Sequence, residues 1–248
     1  ADGTYGVKEG KFVAEVGSTG YETFDEAIAA ANASTKSATI YLRENITVDH
    51  QLVIENAKGK AITLNLKGFT LTSTYAINKA IKNGSYALVN NTPLTIKNGT
   101  FAAGQARAIG ALETLTLNGA TVTQQLTGGH ACVAFCADGK TYTIKDSTIE
   151  GAYAVCSFAD NATIRITGST LTGTGNTLYH NGSNYGLKLT VTDTTITSSG
   201  SCGVYIAGST SAQSNADNQN GAGGYQQATF TGCTISGALN GVEVKYTD

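Results

Sequence analysis

Short alternations of apolar and polar residues recur along most of the chain. One copy is YTIKDSTIEG, in which Tyr142, Ile144 and Ile149 are separated by polar residues. Because successive side chains of a strand point to opposite faces, each alternation predicts a strand with one buried face. The other copies begin at Leu64, Leu94, Leu115, Ile164, Leu189 and Ala228.

A residue that tolerates a left-handed backbone interrupts every copy at the same place. Only Gly, Asn and Asp occur there, the types that most readily adopt positive φ. These residues are Gly68, Asn98, Gly119, Asp146, Gly168, Asp193 and Gly232. An apolar position follows three residues later, and another alternating strand comes after it. Each copy therefore predicts a strand, a sharp bend, a second strand, a loop and a third strand.

The repeated unit predicts the fold class. A unit of roughly 20 to 30 residues that cannot bury its own apolar side must stack on copies of itself. Because the unit contains strands and no helix, we predict an all-β, single-stranded, right-handed parallel β-helix of roughly eight rungs. Leucine-rich repeats are the nearest rival, but their leucine spacing and their Asn or Cys signature are absent.

One segment, TFDEAIAAANAS, predicts a helix near the start of the chain. Thr23 and Glu26 have the spacing of a capping box. An apolar stripe of Phe24, Ala27, Ile28 and Ala31 follows it. We expect this helix to cover the first rung, so that residues 1–37 form an N-terminal cap and residues 38–248 form the rungs of one domain. The last rung, GVEVKYTD, has no capping element after it, and we therefore expect a longer natural chain.

Charge and hydropathy limit the classes of partner. The net charge is −2, and the basic face that a nucleic-acid partner requires is not expected. No run of 18 apolar residues occurs, so no membrane-spanning helix is expected.

The cysteines and histidines predict neither a metal site nor a cofactor site. The five cysteines follow no metal-ligand spacing, and most lie in the inward phase of third strands, where a thiol packs as a small apolar group. They are Cys132, Cys136, Cys156, Cys202 and Cys233. The histidines, His50, His130 and His180, are scattered. A structural Ca²⁺ held by loop residues such as Asp138 or Asp160 remains an open alternative.

The front of the chain resembles a known group of proteins. The segments YETFDEAIAAAN, ATIYLRENITV, ITLNLKGFTLTS and LTIKNGTF resemble the start of right-handed, pectate-lyase-like β-helix domains in large bacterial surface proteins. The resemblance implies export, an extracellular position at the cell surface, and adhesion or contact with glycans. The same fold also includes polysaccharide lyases and hydrolases, so the function depends on the site.

An outward column of third-strand residues is the candidate binding face. Aligning these strands by the loops that follow them predicts inward residues Cys136, Phe158, His180, Ile206 and Val244. The outward residues are then Phe135, Ser157, Tyr179, Tyr205 and Glu243. A slip of one residue would exchange the two columns. The predicted glycan contacts are Phe135, Tyr179, Tyr205, Glu243, Asn181 and Tyr225, although aromatic residues also simply suit strands.

Catalysis is the first alternative to binding. Asp146 and Asp193 occupy bends two rungs apart, about 10 Å by strand spacing, which suits an inverting pair of carboxylates. Arg165 lies on the rung between them and is the only nearby base. This alternative predicts a polysaccharide lyase or a glycoside hydrolase.

Threonine rows provide a third class of function. The rungs contain Thr-x-Thr motifs that begin at Thr70, Thr121, Thr170 and Thr195. A flat double row of threonine is the arrangement that ice-binding solenoids present to water, although Ala102 and Glu150 interrupt the second row. The preferred interpretation remains a non-catalytic surface module that binds a glycan or another surface ligand, or that acts as a stalk.

Overall fold

The chain winds through three stacks of parallel strands in the computed structural model, which describes residues 11–181, 186–208 and 226–246. Stack one contains β3 (Ala38–Leu42), β6 (Ile62–Asn65), β9 (Leu94–Gln105), β11 (Leu115–Gln124), β13 (Thr141–Lys145), β16 (Thr163–Thr167), β19 (Lys188–Thr192) and β22 (Gln227–Thr231). Stack two contains β4 (Ile46–Val48), β7 (Thr70–Ala76), the second halves of β9 and β11, β14 (Thr148–Gly151), β17 (Thr170–Gly173), β20 (Thr195–Ser198) and β23 (Thr234–Gly237).

Stack three forms a separate sheet of eight strands. It contains β5 (Leu52–Ile54), β8 (Tyr86–Asn90), β10 (Arg107–Ala111), β12 (Ala131–Phe135), β15 (Tyr153–Ser157), β18 (Leu178–His180), β21 (Val204–Gly208) and β24 (Val242–Tyr246). The stacks together make about seven turns. The predicted parallel β-helix is confirmed.

The core consists of inward side chains that repeat from rung to rung. In stack one the inward column includes Ile40, Leu64, Ile96, Leu117, Ile144, Ile166 and Val191, all fully buried. In stack two the corresponding column includes Leu71, Phe101, Val122, Ile149, Leu171 and Ile196. Burial of each such side chain contributes about 1.5–3 kcal/mol, so the stacking of rungs is the main source of stability.

The bends between stacks one and two have the predicted left-handed backbone. Asn98, Asp146 and Asp193 have φ of 57°, 48° and 47°, and glycines occupy the same place on the intervening rungs. Each side chain lies over the glycine of the following rung: a Cβ at Gly168 would come within 2.6 Å of Asp146 Oδ1. The alternation of Asx and Gly therefore has a steric reason as well as a conformational one.

The N-terminal end is covered as the sequence predicts. The helix α1 (Phe24–Ala33) follows β1 (Ala14–Val16) and β2 (Thr19–Tyr21), and β1 pairs antiparallel with β3. Thr23 and Glu26 form the capping box. At the last described rung, by contrast, the inward residues Val242 and Val244 are 45% and 54% exposed.

No helix among the described residues has the length and apolar character of a membrane span.

Candidate functional site

A second apolar cluster lies on the outer side of stack three, apart from the core. Its buried members are Tyr86, Val89, Ala131, Ala134 and Cys156. Half-buried residues pack over them, namely Leu112, Cys136, Tyr153, Phe158 and Tyr179. Outward residues of a solenoid normally contact water, so this layered apolar surface is the candidate site.

Four aromatic rings form a continuous group, three of them within this cluster and the fourth, Tyr205, beside it. The ring of Tyr179 is stacked on that of Tyr205, with centroids 5.7 Å apart and planes 26° apart. Tyr153 lies on the other side of Tyr179, also at 5.7 Å. Phe158 meets Tyr179 edge to face at 6.5 Å. We call Tyr153, Phe158, Tyr179 and Tyr205 the aromatic face.

The strand register of stack three brings these rings together. Cys156 pairs with Tyr179, Tyr179 with Tyr205, and Tyr205 with Glu243, in parallel strands at rung spacing. Small residues beside the rings make room for them. A Cβ at Gly175 would lie 2.1 Å from Cε1 of Tyr153, so this ring lies directly over the glycine.

The aromatic face continues into a polar group on earlier rungs. The Arg107 guanidinium lies 5.6 Å from the ring centroid of Tyr86. Its Nε donates to His130 Nδ1 at 3.3 Å, and its Nη1 donates to Tyr86 Oη at 3.4 Å. Tyr86 Oη is also 3.6 Å from Cys136 Sγ. Within the described ranges no carboxylate forms an ion pair with Arg107.

Glu243 provides the charge at the opposite end of the face. Its Oε2 accepts hydrogen bonds from Cys202 Sγ at 3.2 Å and from Asn240 Nδ2 at 2.9 Å. Both bonds lower the pKa of the Glu243 carboxyl, and the bond from Cys202 has the larger effect. The group is therefore an anion at neutral pH.

Tyr179 combines an apolar ring with a hydrogen-bonding tip. Its hydroxyl donates to Asn181 Oδ1 at 3.4 Å. Burial is the main cause of a raised pKa for this hydroxyl, and the charges of the neighbouring Cys156, Tyr205 and Tyr153 add to it. The hydroxyl therefore remains protonated at neutral pH. A flat apolar surface with a polar edge suits a ligand that has the same two properties.

The predicted outward orientation holds for part of the column. Tyr179, Tyr205 and Glu243 lie on the outer side of stack three and share one register. Asn181 lies beside them, in contact with Tyr179. Tyr225 falls outside the described residues.

Phe135 was predicted to point outward, and that prediction is wrong. The side chain is fully buried in the core and stacks on Tyr142, with ring centroids 4.1 Å apart and planes 11° apart. The register pairs Phe135 with Ser157 and Ser157 with the buried His180, so all three point inward. Cys136 and Phe158, which were predicted to point inward, lie on the outer cluster instead.

Loop length is the physical reason for this error. β12, β15 and β18 end at the same register position, at Phe135, Ser157 and His180, but five residues separate β12 from β13 and β15 from β16, whereas seven separate β18 from β19. The backbone N–H of Asp160 donates to Asp138 Oδ1 at 2.9 Å, which links the two shorter turns. An alignment by loops therefore shifts β12 and β15 by one residue, and such a shift exchanges the two faces of a strand.

Sequence reasoning missed Tyr153, Phe158, Tyr86 and Arg107 as members of this surface. A signal for them existed in the strand pattern. In β15 the inward residues Ala154 and Val155 are consecutive, which places Tyr153 and Cys156 on the outer side. The same break occurs at Cys132 and Val133 of β12.

The structure places Asp146 and Asp193 two rungs apart, the spacing that the sequence predicts, and it places Arg165 away from both. Asp146 and Asp193 occupy the bends of two rungs, and Gly168 occupies the bend of the rung between them. Arg165 is exposed in β16, where it pairs with Thr143 and Thr190. It precedes the bend at Gly168 by three positions, about 10 Å along a strand. No ion pair in the described part of the chain joins Arg165 to either aspartate.

Among the described residues, no group of three His, Cys, Asp or Glu side chains could hold a metal ion.

Comparisons with known proteins identify the fold. No protein-family model and no curated protein matches the sequence. The structure is similar to the crystal structure of the pectin methylesterase from Aspergillus niger, with a TM-score of 0.54 and 16% sequence identity. The match covers 93% of this chain and 73% of the esterase chain. At this identity the similarity establishes a right-handed parallel β-helix of the pectin-methylesterase type and no activity.

Proposed function

We propose that this β-helix binds a carbohydrate at the aromatic face, without performing chemistry there. The observation that carries the proposal is the continuous group of Tyr153, Phe158, Tyr179 and Tyr205 on the outer side of a rigid sheet. Sugar rings have apolar faces formed by C–H groups and a polar edge of hydroxyls. An array of aromatic rings with polar neighbours complements both parts of such a ligand.

Polar groups around the rings support the same ligand class. Asn181 beside Tyr179, Glu243 beside Tyr205 and Arg107 near the far end can all form hydrogen bonds with sugar hydroxyls. Because the rings are fixed by packing, little conformational entropy is lost when they engage a ligand.

The setting that we propose is a bacterial cell surface, where the domain acts in adhesion. Protease accessibility on intact cells tests that setting, and protection of the domain would contradict it.

Carbohydrate chemistry is the second candidate. The structural similarity to a pectin methylesterase supports an enzyme at least as well as a binding module, because one fold hosts both. The residues for such a role are Asp146, Arg165 and Asp193. Asp146 and Asp193 keep the two-rung spacing that suits an inverting pair, whereas Arg165 lies apart from them on the strand before the bend.

A screen for binding combined with an assay for product release tests both candidates. The purified domain is applied to a glycan array, and the same protein is incubated with the bound polysaccharides and with methyl-esterified pectin. Our proposal predicts binding with no release of methanol, reducing ends or unsaturated sugars. Release that disappears in Asp146→Asn would contradict the proposal and support the enzyme. Absence of binding to every glycan would also contradict it and would favour a structural stalk.

A further inference from the structure

One outward column of stack two is threonine in seven successive strands. The parallel register pairs each member directly with the next, without a shift between them. The column consists of Thr70, Thr100, Thr121, Thr148, Thr170, Thr195 and Thr234.

A second outward column runs beside the first, two residues later in each strand. Most of its members are also hydroxyl residues. It consists of Thr47, Thr72, Ala102, Thr123, Glu150, Thr172, Thr197 and Ser236. Together the two columns form a two-dimensional array of hydroxyl and methyl groups, which we call the threonine array.

The array is regular because the core holds it in place. The residue between the two columns is completely buried in each central rung, as at Val122, Ile149 and Leu171. Neighbouring members of a column are therefore about 4.8 Å apart, and the two columns are about 6.7 Å apart. Both spacings are close to repeat distances between oxygen atoms in ice.

Strand propensity alone does not explain the array. Threonine is common in strands, and stack one also carries one column rich in threonine. The neighbouring column of stack one, however, contains tyrosine, asparagine or lysine on five rungs, as at Tyr41, Lys97 and Asn118, and threonine on the last three alone. In the described part of the chain, only stack two has two adjacent columns in which hydroxyl residues occupy most rungs.

The array is also accessible to a ligand. Thr148, Thr170 and Thr195 are exposed. Within the described ranges these three hydroxyls form no hydrogen bond with another protein group, whereas in the second column Ser236 Oγ donates to Thr197 Oγ1 at 3.5 Å. The hydroxyls are thus free to hydrogen-bond ordered water, while the methyl groups between them limit competing hydration.

We propose that the threonine array binds ice. Its ligand is the surface of an ice crystal, whose oxygen lattice matches the array in two directions. Glu150 is the main defect in this surface, because a carboxylate orders water around its own charge. This function is independent of carbohydrate binding, since the aromatic face lies on stack three.

Ice-recrystallisation inhibition and thermal hysteresis of the purified domain test the proposal. We expect activity in the wild-type protein and its loss in Thr195→Lys, because a long cation within the array breaks the match with the lattice. Thr190→Lys is the matched control, since Thr190 is an exposed threonine of the same rung on stack one. This control should retain activity, and so should Tyr179→Ala.

A gain-of-function variant keeps the test independent of folding defects. Glu150→Thr fills the defect, so it should increase both activities above those of the wild type. Absence of activity in the wild type and in Glu150→Thr would overturn the proposal. Equal loss in Thr195→Lys and Thr190→Lys would overturn it as well. Loss of glycan binding in Thr195→Lys, without any ice activity, would assign the array to the carbohydrate instead.

Discussion

Phe135 shows how one side chain can matter to stability rather than to binding. It is fully buried and packs face to face on Tyr142, whose hydroxyl donates to the backbone carbonyl of Ala137 at 2.9 Å. The contact thus joins two neighbouring turns of the core to the loop between them. Removal of the ring leaves a cavity in a packed interior.

Phe135→Ala should lower the free energy of unfolding by about 3–5 kcal/mol, the usual cost of deleting a buried aromatic side chain. Urea-induced unfolding followed by circular dichroism measures this change. Phe158→Ala is the matched control, because Phe158 lies half-buried in the outer cluster and should cost much less. Equal losses in the two variants would contradict the inward assignment of Phe135.

At the residue scale, the sequence predicts where the chain bends better than it predicts the side of the strand on which a side chain lies. The left-handed positions could be predicted because only Gly, Asn and Asp occur there, as at Asp146 and Gly168. The face of Phe135 could not, because the loops after β12 and β18 differ in length and their alignment does not give the register of the strands. That register is fixed by tertiary packing and not by the local pattern.

At the scale of elements, the helix α1 is tied to the loop that follows β4. His50 Nε2 is 3.0 Å from Asp25 Oδ1 in the first turn of the helix, and His50 Nδ1 is 3.2 Å from Asp49 Oδ1. Partial burial lowers the pKa of His50, but the hydrogen bonds to Asp49 and Asp25 and their charges outweigh it. The pKa therefore lies above the ordinary value of 6.5.

The raised pKa gives the helix a pH-dependent attachment. Because the folded state binds the proton more tightly, the stabilisation is complete below pH 6.5 and is lost as pH rises through the folded pKa. His50→Gln should therefore lower the melting temperature more at pH 5 than at pH 8. Asp25→Asn is the control background, in which the difference between the two pH values should shrink. An equal loss at both pH values would contradict this account.

The elements themselves follow closely from the sequence. The capping box at Thr23 and Glu26 and the stripe that includes Phe24 and Ile28 predict α1, and the structure confirms each of them. The aromatic face was only partly predictable. Tyr179 and Tyr205 follow simple alternation, whereas Tyr153 lies outward because two consecutive residues of β15 point into the core.

At the scale of the whole molecule, the repeat makes the fold predictable and leaves the function open. Stacked rungs require only a buried column and a bend in each turn, and these features recur throughout the chain. The outer surfaces are free to vary from stack to stack. Stack three carries aromatic rings and stack two carries threonine, so the molecule presents two distinct surfaces on one scaffold.

Calorimetric titration of the best-bound glycan tests the central claim about the aromatic face most directly. Tyr179 contacts the other three rings, and its removal should weaken binding by about tenfold or more, or about 1.4 kcal/mol. Tyr41→Ala is the matched control, because Tyr41 is a half-buried tyrosine on stack one. We predict a large rise in Kd for Tyr179→Ala and none for Tyr41→Ala. Unchanged affinity in Tyr179→Ala, with the fold intact by circular dichroism, would contradict the account.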